Sequence, residues 1–299
     1  MTVRIVTDST ADLPERLVRE FGITVVPLNI HFGEEVLKDG VDIWSEEFYH
    51  RLQNDPLLPN TSQPSPGEFL QVYRQLSETG DPIISLHISR ELSGTCGSAE
   101  VAAAMLNENT AKSGGNVAMP GEATRIHVVD SRSVSMGLGL IALEAARLAA
   151  SGAAPAEILR RVAQWQAGVK ILFTVNNLEF LARNGRIGKA AEFVGSLLNI
   201  KPILGVEDGV IVPLERLRGN CQKVIARMIE RLETECDGRP VRLCILHTDL
   251  PELGNYMSAA VKAQLNVVEC YQAVVGPVVG SHSGPSTYGI AVLPADGPP

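Results

Sequence analysis

The chain has 299 residues and a formal net charge of −8, from 34 acidic and 26 basic side chains. Its hydrophobic fraction of 45% allows one large or two medium domains with a sizeable core, and the acidic balance argues against nucleic acid or an anionic membrane surface as partner. There is no run of about 18 apolar residues to cross a membrane, and five cysteines without a C-x-x-C pair fit reduced thiols in a cytoplasmic protein.

Val3 to Thr7 predicts a first strand, early enough that no signal peptide is expected ahead of it. The strand ends in Asp8-Ser9-Thr10. Asp12 is expected to cap a helix with Pro14 in its first turn. Ile23 to Ile30 reads as one strand, and Ser45 opens a helix over Glu46 to Gln53. In T-S-Q-P-S-P-G-E, Ser65 is the expected N-cap, with Pro66 in the first turn and Glu68 as reciprocal cap. Thr61 and Ser62 stand ahead of that helix, free to face a ligand.

Pro82 to Ile88 reads as a buried strand and Ala99 to Leu106 as a helix. Between them Ser89, Ser93, Gly94, Thr95, Gly97 and Ser98 form a turn dense in hydroxyls. Backbone N–H groups, side-chain O–H groups and a positive helix end suit an anion, and ligands of open α/β sheets sit at such strand ends. An ordinary N-cap by Ser93 or Thr95 explains the same residues. Asn107 to Thr124 is polar and aperiodic, a surface loop. Arg125 to Val129 is a strand, ended by Asp130-Ser131 in an echo of Asp8-Ser9. Met136 to Ala150 is a helix stopped by Gly152, and Pro155 opens another to Gln166. This alternation argues for a parallel sheet covered by helices.

The second half predicts strands at Ile171 to Val175, Lys201 to Val206, Val210 to Leu214, Val241 to His247 and Val267 to Val274. Asp208-Gly209 makes the middle pair a hairpin. Helices are expected at Leu178 to Ala182, Lys189 to Leu198, Cys221 to Cys236 and Leu253 to Gln264. The fold class is therefore α/β with two domains. Residues 1–160 form a parallel-sheet, Rossmann-like domain, and residues 161–299 a mixed or antiparallel α/β domain.

Four polar turns carry candidate chemistry: Asp8-Ser9, Thr61-Ser62, Ser93-Gly94-Thr95 and Ser281-His282-Ser283-Gly284-Pro285. Converged, they would offer hydroxyl donors and one imidazole to a carboxylate or phosphate, although no Walker motif is present. His282 differs from the other histidines, which read as surface or structural residues, because small neighbours let a ligand approach; those glycines also suit a plain turn. Ser93 with His282 and Asp8 or Asp130 supplies the residue types of a serine hydrolase, but G-x-S-x-G is absent. Arg186, in a tight turn, either caps a helix end or reads an anion or a partner protein.

Seven motifs stand in order: V-R-I-V-T-D-S-T-A-D-L-P, T-S-Q-P-S-P-G-E-F, I-S-R-E-L-S-G-T-C-G-S-A, V-V-D-S-R-S-V-S-M-G-L-G, L-E-F-L-A-R-N-G-R-I-G, L-L-N-I-K-P-I-L and G-S-H-S-G-P. The set resembles the DegV family of bacterial fatty-acid-binding proteins, nearly end to end. The resemblance implies an acyl-chain pocket between the two domains, with a long-chain fatty acid as ligand and no cofactor, metal or catalytic residue. It implies a carboxylate held by Thr61, Ser62, Ser93, Gly94, His282 and Ser283, with Asp8, Ser9, Asp130 and Ser131 in supporting turns. It also implies a fatty acid kinase as partner, met at Arg186, and an acyl phosphate that feeds phospholipid synthesis. A monomer without stable membrane insertion is expected. A carrier without a kinase partner, or a lipid or ester hydrolase using Ser93 and His282, are the alternatives. Three features depart from the family pattern. Asn184 replaces a glycine and is expected to tolerate the turn's left-handed backbone. Ser286-Thr287-Tyr288 follow Gly284-Pro285, where Tyr288 is expected to narrow the pocket. The 107–124 loop is long. Phe193, Val194, Leu197 and Leu198 are candidates for either pocket lining or ordinary core.

Overall fold

The computed structural model describes residues 2–112, 126–193 and 200–296. Its first half runs β1 (Arg4–Asp8), α1 (Glu15–Glu20), β2 (Thr24–Val26), β3 (Asn29–Phe32), β4 (Glu35–Lys38), α2 (Ser45–Asn54), β5 (Asn60–Ser62), α3 (Pro66–Ser77), β6 (Ile83–His87), α4 (Thr95–Lys112), β7 (Ile126–Asp130) and α5 (Met136–Ala150). The second half runs α6 (Pro155–Gly168), β8 (Lys170–Thr174), α7 (Glu179–Arg183), β9 (Lys201–Glu207), β10 (Val210–Leu217), α8 (Cys221–Cys236), β11 (Val241–His247), α9 (Pro251–Gln264), β12 (Val267–Val274), α10 (Pro277–Ser283) and β13 (Tyr288–Pro294).

The class is α/β, as the alternation predicts. One sheet, in the order β2-β1-β6-β7, is parallel throughout. A second, β10-β9-β8-β13-β11-β12, is antiparallel except for the β11–β12 pair. The Asp208-Gly209 turn has positive φ at both residues, the hairpin geometry its sequence predicts. A small antiparallel sheet, β4-β3-β5, sets Thr61 opposite Ile30 and Ser62 opposite Asn29.

Four expectations are corrected. The single strand Ile23 to Ile30 is two strands in two sheets. Pro27 has no N–H to pair, and the Leu28 N–H donates to Ser9 Oγ instead of to a neighbouring strand. Asp12 caps no helix. It is left-handed (φ 50°) at the end of a 3-10 turn over Ser9–Ala11, and its buried carboxylate accepts bonds from Ser135 Oγ and the Gly276 N–H. Residues 107–112 continue α4 rather than starting a loop; the rest of the expected loop lies outside the described residues. The segment after Arg186 is a 3-10 helix over Gly188–Phe193; Val194, Leu197 and Leu198 lie outside the described residues. The Ser65–Glu68 capping box forms as predicted.

Helix α5 has no polar face in its first three turns, and every residue from Met136 to Ala146 is buried. Its core cluster joins Ile5, Ile84 and Leu86 of the parallel sheet to Cys244, Leu246, Ala291 and Leu293 of the second sheet. The helix thus lies between the two sheets. Close approach requires small residues: a Cβ on Gly139 would stand 2.6 Å from the Ala11 carbonyl oxygen. Gly139→Ala is therefore expected to lose about 1–3 kcal/mol of stability through overpacking. Urea unfolding checks this, and an unchanged midpoint would show that the 3-10 turn can yield.

Candidate functional site

A cavity opens where the two larger sheets meet the small one. It lies beyond the C-terminal end of β6, the position the open-sheet rule favours. Ile88, Leu92 and Ser93 follow β6 into its wall, and Thr61 and Ser62 enter from β5. Opposite stand Ile171 and Phe173 of β8, Leu246 of β11, and Val278, Val279, His282 and Ser283 of α10. The wall is mostly apolar, with its polar atoms supplied by a few side chains.

The strand β5 and the last turn of α10 bring the polar atoms together. Thr61 Oγ1 lies 2.8 Å from His282 Nε2. His282 Nδ1 and Ser283 Oγ are both buried without a hydrogen-bond partner. Burial, helped by the Arg186 charge, pushes the His282 imidazole down to about 4, so it is neutral near pH 7. Ser93 Oγ pairs with Thr95 Oγ1 at 2.8 Å and accepts the Thr95 N–H at the start of α4, and Ser93 also faces the cavity. Ser62 Oγ is 2.8 Å from His31 Nε2. Gly94 does not border the cavity and is close-packed by Gln63: a Cβ there would lie 2.9 Å from Gln63 Nε2. Arg186 is exposed on the cavity wall. Its Nε donates to the Leu92 carbonyl at 3.1 Å and its Nη1 to the Asn184 carbonyl at 2.7 Å.

Asp8, Ser9, Asp130 and Ser131 do not border the cavity. The fully buried Asp8 carboxylate accepts the Thr10 and Ile88 N–H groups and lies 3.0 Å from His87 Nδ1, which fixes the turns after β1 and β6. Asp130 Oδ1 accepts the Arg132 N–H, and Ser131 exchanges bonds with Ser133. The residue types of a hydrolase triad are thus present but bonded elsewhere: Ser93 to Thr95, His282 to Thr61, Asp8 to His87.

Two sequence departures acquire a structural account. Asn184 is not left-handed (φ −88°); Gly185 takes that conformation, with φ 68°. Thr287 Oγ1 donates to the carbonyls of Ser283 and Gly284, closing the end of α10. Tyr288 borders the cavity, but its side chain joins the core cluster of Leu172, Val224 and Ile290. Phe193 packs with Leu178, Leu181 and Ile211; of these, Leu181 and Ile211 border the cavity. Sequence reasoning missed Thr10, Gln63 and Ser135 as lining residues, and it missed α10 itself. The available signal was Pro277, a first-turn proline ahead of two valines.

Comparison with known proteins places these features in a family. The model of the DegV family, described as "Uncharacterised protein, DegV family", matches residues 2–295. A DegV domain-containing protein of Caldanaerobacter subterraneus is 35% identical over 96% of this chain and 97% of its own. A DegV family protein from Thermus thermophilus, described by its fatty acid binding, superposes with a TM-score of 0.89 at 34% identity, covering 98% of this chain and 100% of that one. A stearic-acid-binding protein from Eubacterium ventriosum gives a TM-score of 0.87 at 28% identity, covering 98% of each chain.

The burial of His282 has a consequence for stability. Its folded value is depressed to about 4, while an unfolded histidine titrates near ~6.5. As pH falls through that window the unfolded chain takes up the proton first, so stability is lost between the two values. His282→Gln should remove a loss on the order of 1 kcal/mol between pH 7 and pH 5. Chemical denaturation of both proteins at the two pH values checks it, and parallel losses would refute it.

Proposed function

The chain belongs to the DegV family, and from that premise we propose that it is a fatty-acid carrier. The acyl chain lies along the apolar wall and the carboxylate meets Thr61, Ser62, Ser93, His282 and Ser283, which border the cavity, with Gly94 next to Ser93 behind them. The single observation that carries this reading is that buried polar atoms of residues bordering a mostly apolar cavity, among them His282 Nδ1 and Ser283 Oγ, have no partner. Buried polar groups ordinarily have partners, and a carboxylate would supply them.

The energetics support it. Burying an acyl chain gives roughly 0.8 kcal/mol per methylene, which favours extraction of the lipid from water. A carboxylate without partners in such a cavity is costly, and charge-assisted bonds from Thr61, Ser93 and His282 offset that cost. In this reading residues 1–160 and 161–299 are the two domains that close on the ligand. The carrier then presents its carboxylate to a fatty acid kinase, which makes the acyl phosphate, and exposed Arg186 meets that enzyme. The hydrolase alternative is not favoured, because Ser93 and His282 are bonded to Thr95 and Thr61 rather than to each other.

Native mass spectrometry after incubation with palmitate and oleate is expected to show one fatty acid per chain; a clean apo mass after incubation overturns the carrier reading. Thr61→Val should weaken binding about tenfold or more, the worth of a hydrogen bond to a charged group. With a bacterial fatty acid kinase and MgATP, the loaded carrier should yield an acyl phosphate trapped by hydroxylamine. Binding without that product would favour a carrier with no kinase partner.

A further inference from the structure

The last turn of α10 carries His282, and the C-terminal carbonyls of a helix have no donors within it. Here they are supplied from outside or from the chain beyond. The Gly280 carbonyl takes the Gly284 N–H at 2.8 Å, and those of Ser283 and Gly284 take Thr287 Oγ1. The Ser281 carbonyl is met by a distant residue: Asn184 Nδ2 donates to it at 2.9 Å. The same Nδ2 donates to the Phe180 carbonyl at 3.2 Å, so one amide joins the ends of α7 and α10. Phe180 also packs on Gly284, where a Cβ would stand 2.5 Å from its ring.

The turn holding Asn184 reaches the other side of the cavity as well. The Asn184 carbonyl accepts Arg186 Nη1, and Arg186 Nε bonds the carbonyl of Leu92, the neighbour of Ser93. We propose that Asn184 is a positioning residue of the head-group site: its amide fixes the last turn of α10, and so His282, against the turn that carries Arg186, whose guanidinium bonds Leu92. The proposal rests on the reading of this cavity as a carboxylate site. Its second consequence is electrostatic. The Ser281 carbonyl belongs to the negative end of α10, which favours a nearby cation. A donor on that carbonyl weakens the pull towards imidazolium. The charged group acting on the ring is Arg186, from the same turn. Thr61 on β5 and Tyr49 of α2, which lies beside Gly280, face this end of the helix without charge.

The test is the titration of His282 by NMR in the ligand-free full chain, with oleate affinity measured in parallel. Alanine fits the right-handed backbone of Asn184 (φ −88°, ψ 4°), and Asn184→Gly is a second variant that also removes the amide. Either variant should raise the His282 titration by roughly half to one pH unit, the size of a helix-end effect, and weaken oleate binding several-fold. A lowered unfolding midpoint with the wild-type titration and affinity would mean a merely structural bond and overturn the proposal. If the wild type binds no oleate, the carrier reading fails, while the titration still decides the role of Asn184.

Discussion

A helix that is dry on nearly every side cannot be covered by one sheet, and α5 imposes that constraint on the molecule. Its run M-G-L-G-L-I-A-L offers no face to water, and its burial from Met136 to Ala146 takes two sheets. The burial is worth roughly 25 cal/mol for each Å² of apolar surface removed from water, provided the neighbours come close. Gly137 and Gly139 permit that approach; Cβ atoms there would strike Ile171 and the Ala11 carbonyl. The charge that α5 buries, on Glu144, is met by Arg147 of the same helix and Arg242 of β11, which also pair with Glu269. One helix thus fixes how the sheets face each other. The cavity begins at its N-terminal end, where Val134 and Ser135 line the wall.

The segment ahead of α5 and the start of α10 are joined by a buried carboxylate. Asp12 accepts Ser135 Oγ and the Gly276 N–H. Burial pushes its carboxyl well above the ordinary range, and does the same to Asp39, which reaches about 7. Both acids lie at the N-terminal end of α10, beside Gly276, where the helix dipole favours negative charge. The two ends of this short helix are therefore held by different means: acids and a first-turn proline at one, Asn184 and Thr287 at the other. His282 inherits its orientation from both.

Much of this was legible in the chain, and the reason is local chemistry. The Ser65-Pro66-Glu68 cap, the limits of α5 and α8, and the Asp208-Gly209 hairpin depend on neighbours within a few residues, so the sequence states them directly. The four polar turns were visible too, but which of them face the cavity was not. Asp8-Ser9 reads as one of these turns because it follows a strand as the others do; only the register of β1 beside β6 puts Asp8 against His87 and the Ile88 N–H. Asp12 failed for the same reason, since its partners lie 123 and 264 residues away. Helix α10 was hidden by its glycines. Gly280 is needed not for a turn but because Tyr49 occupies the space a side chain would fill, with Tyr49 Oη 2.5 Å from the missing Cβ. No local pattern distinguishes those two uses of glycine.

The choice of a histidine in the cavity follows from what an empty cavity can tolerate. A buried lysine or arginine would bind a carboxylate strongly but would leave an unpaired charge whenever the ligand was absent, at a cost of several kcal/mol. An imidazole can be buried neutral, and burial holds His282 in that state. In the proposed carrier, an arriving carboxylate reverses the balance: an opposite charge within a few ångströms favours the protonated ring. Ligand binding then takes up a proton, and the charged pair exists only while both partners are present. The permanent cation, Arg186, stays in reach of water and spends its donors on the carbonyls of Leu92 and Asn184. In that reading the site gains its charged pair only on binding, while the neutral ring leaves no buried charge without a partner.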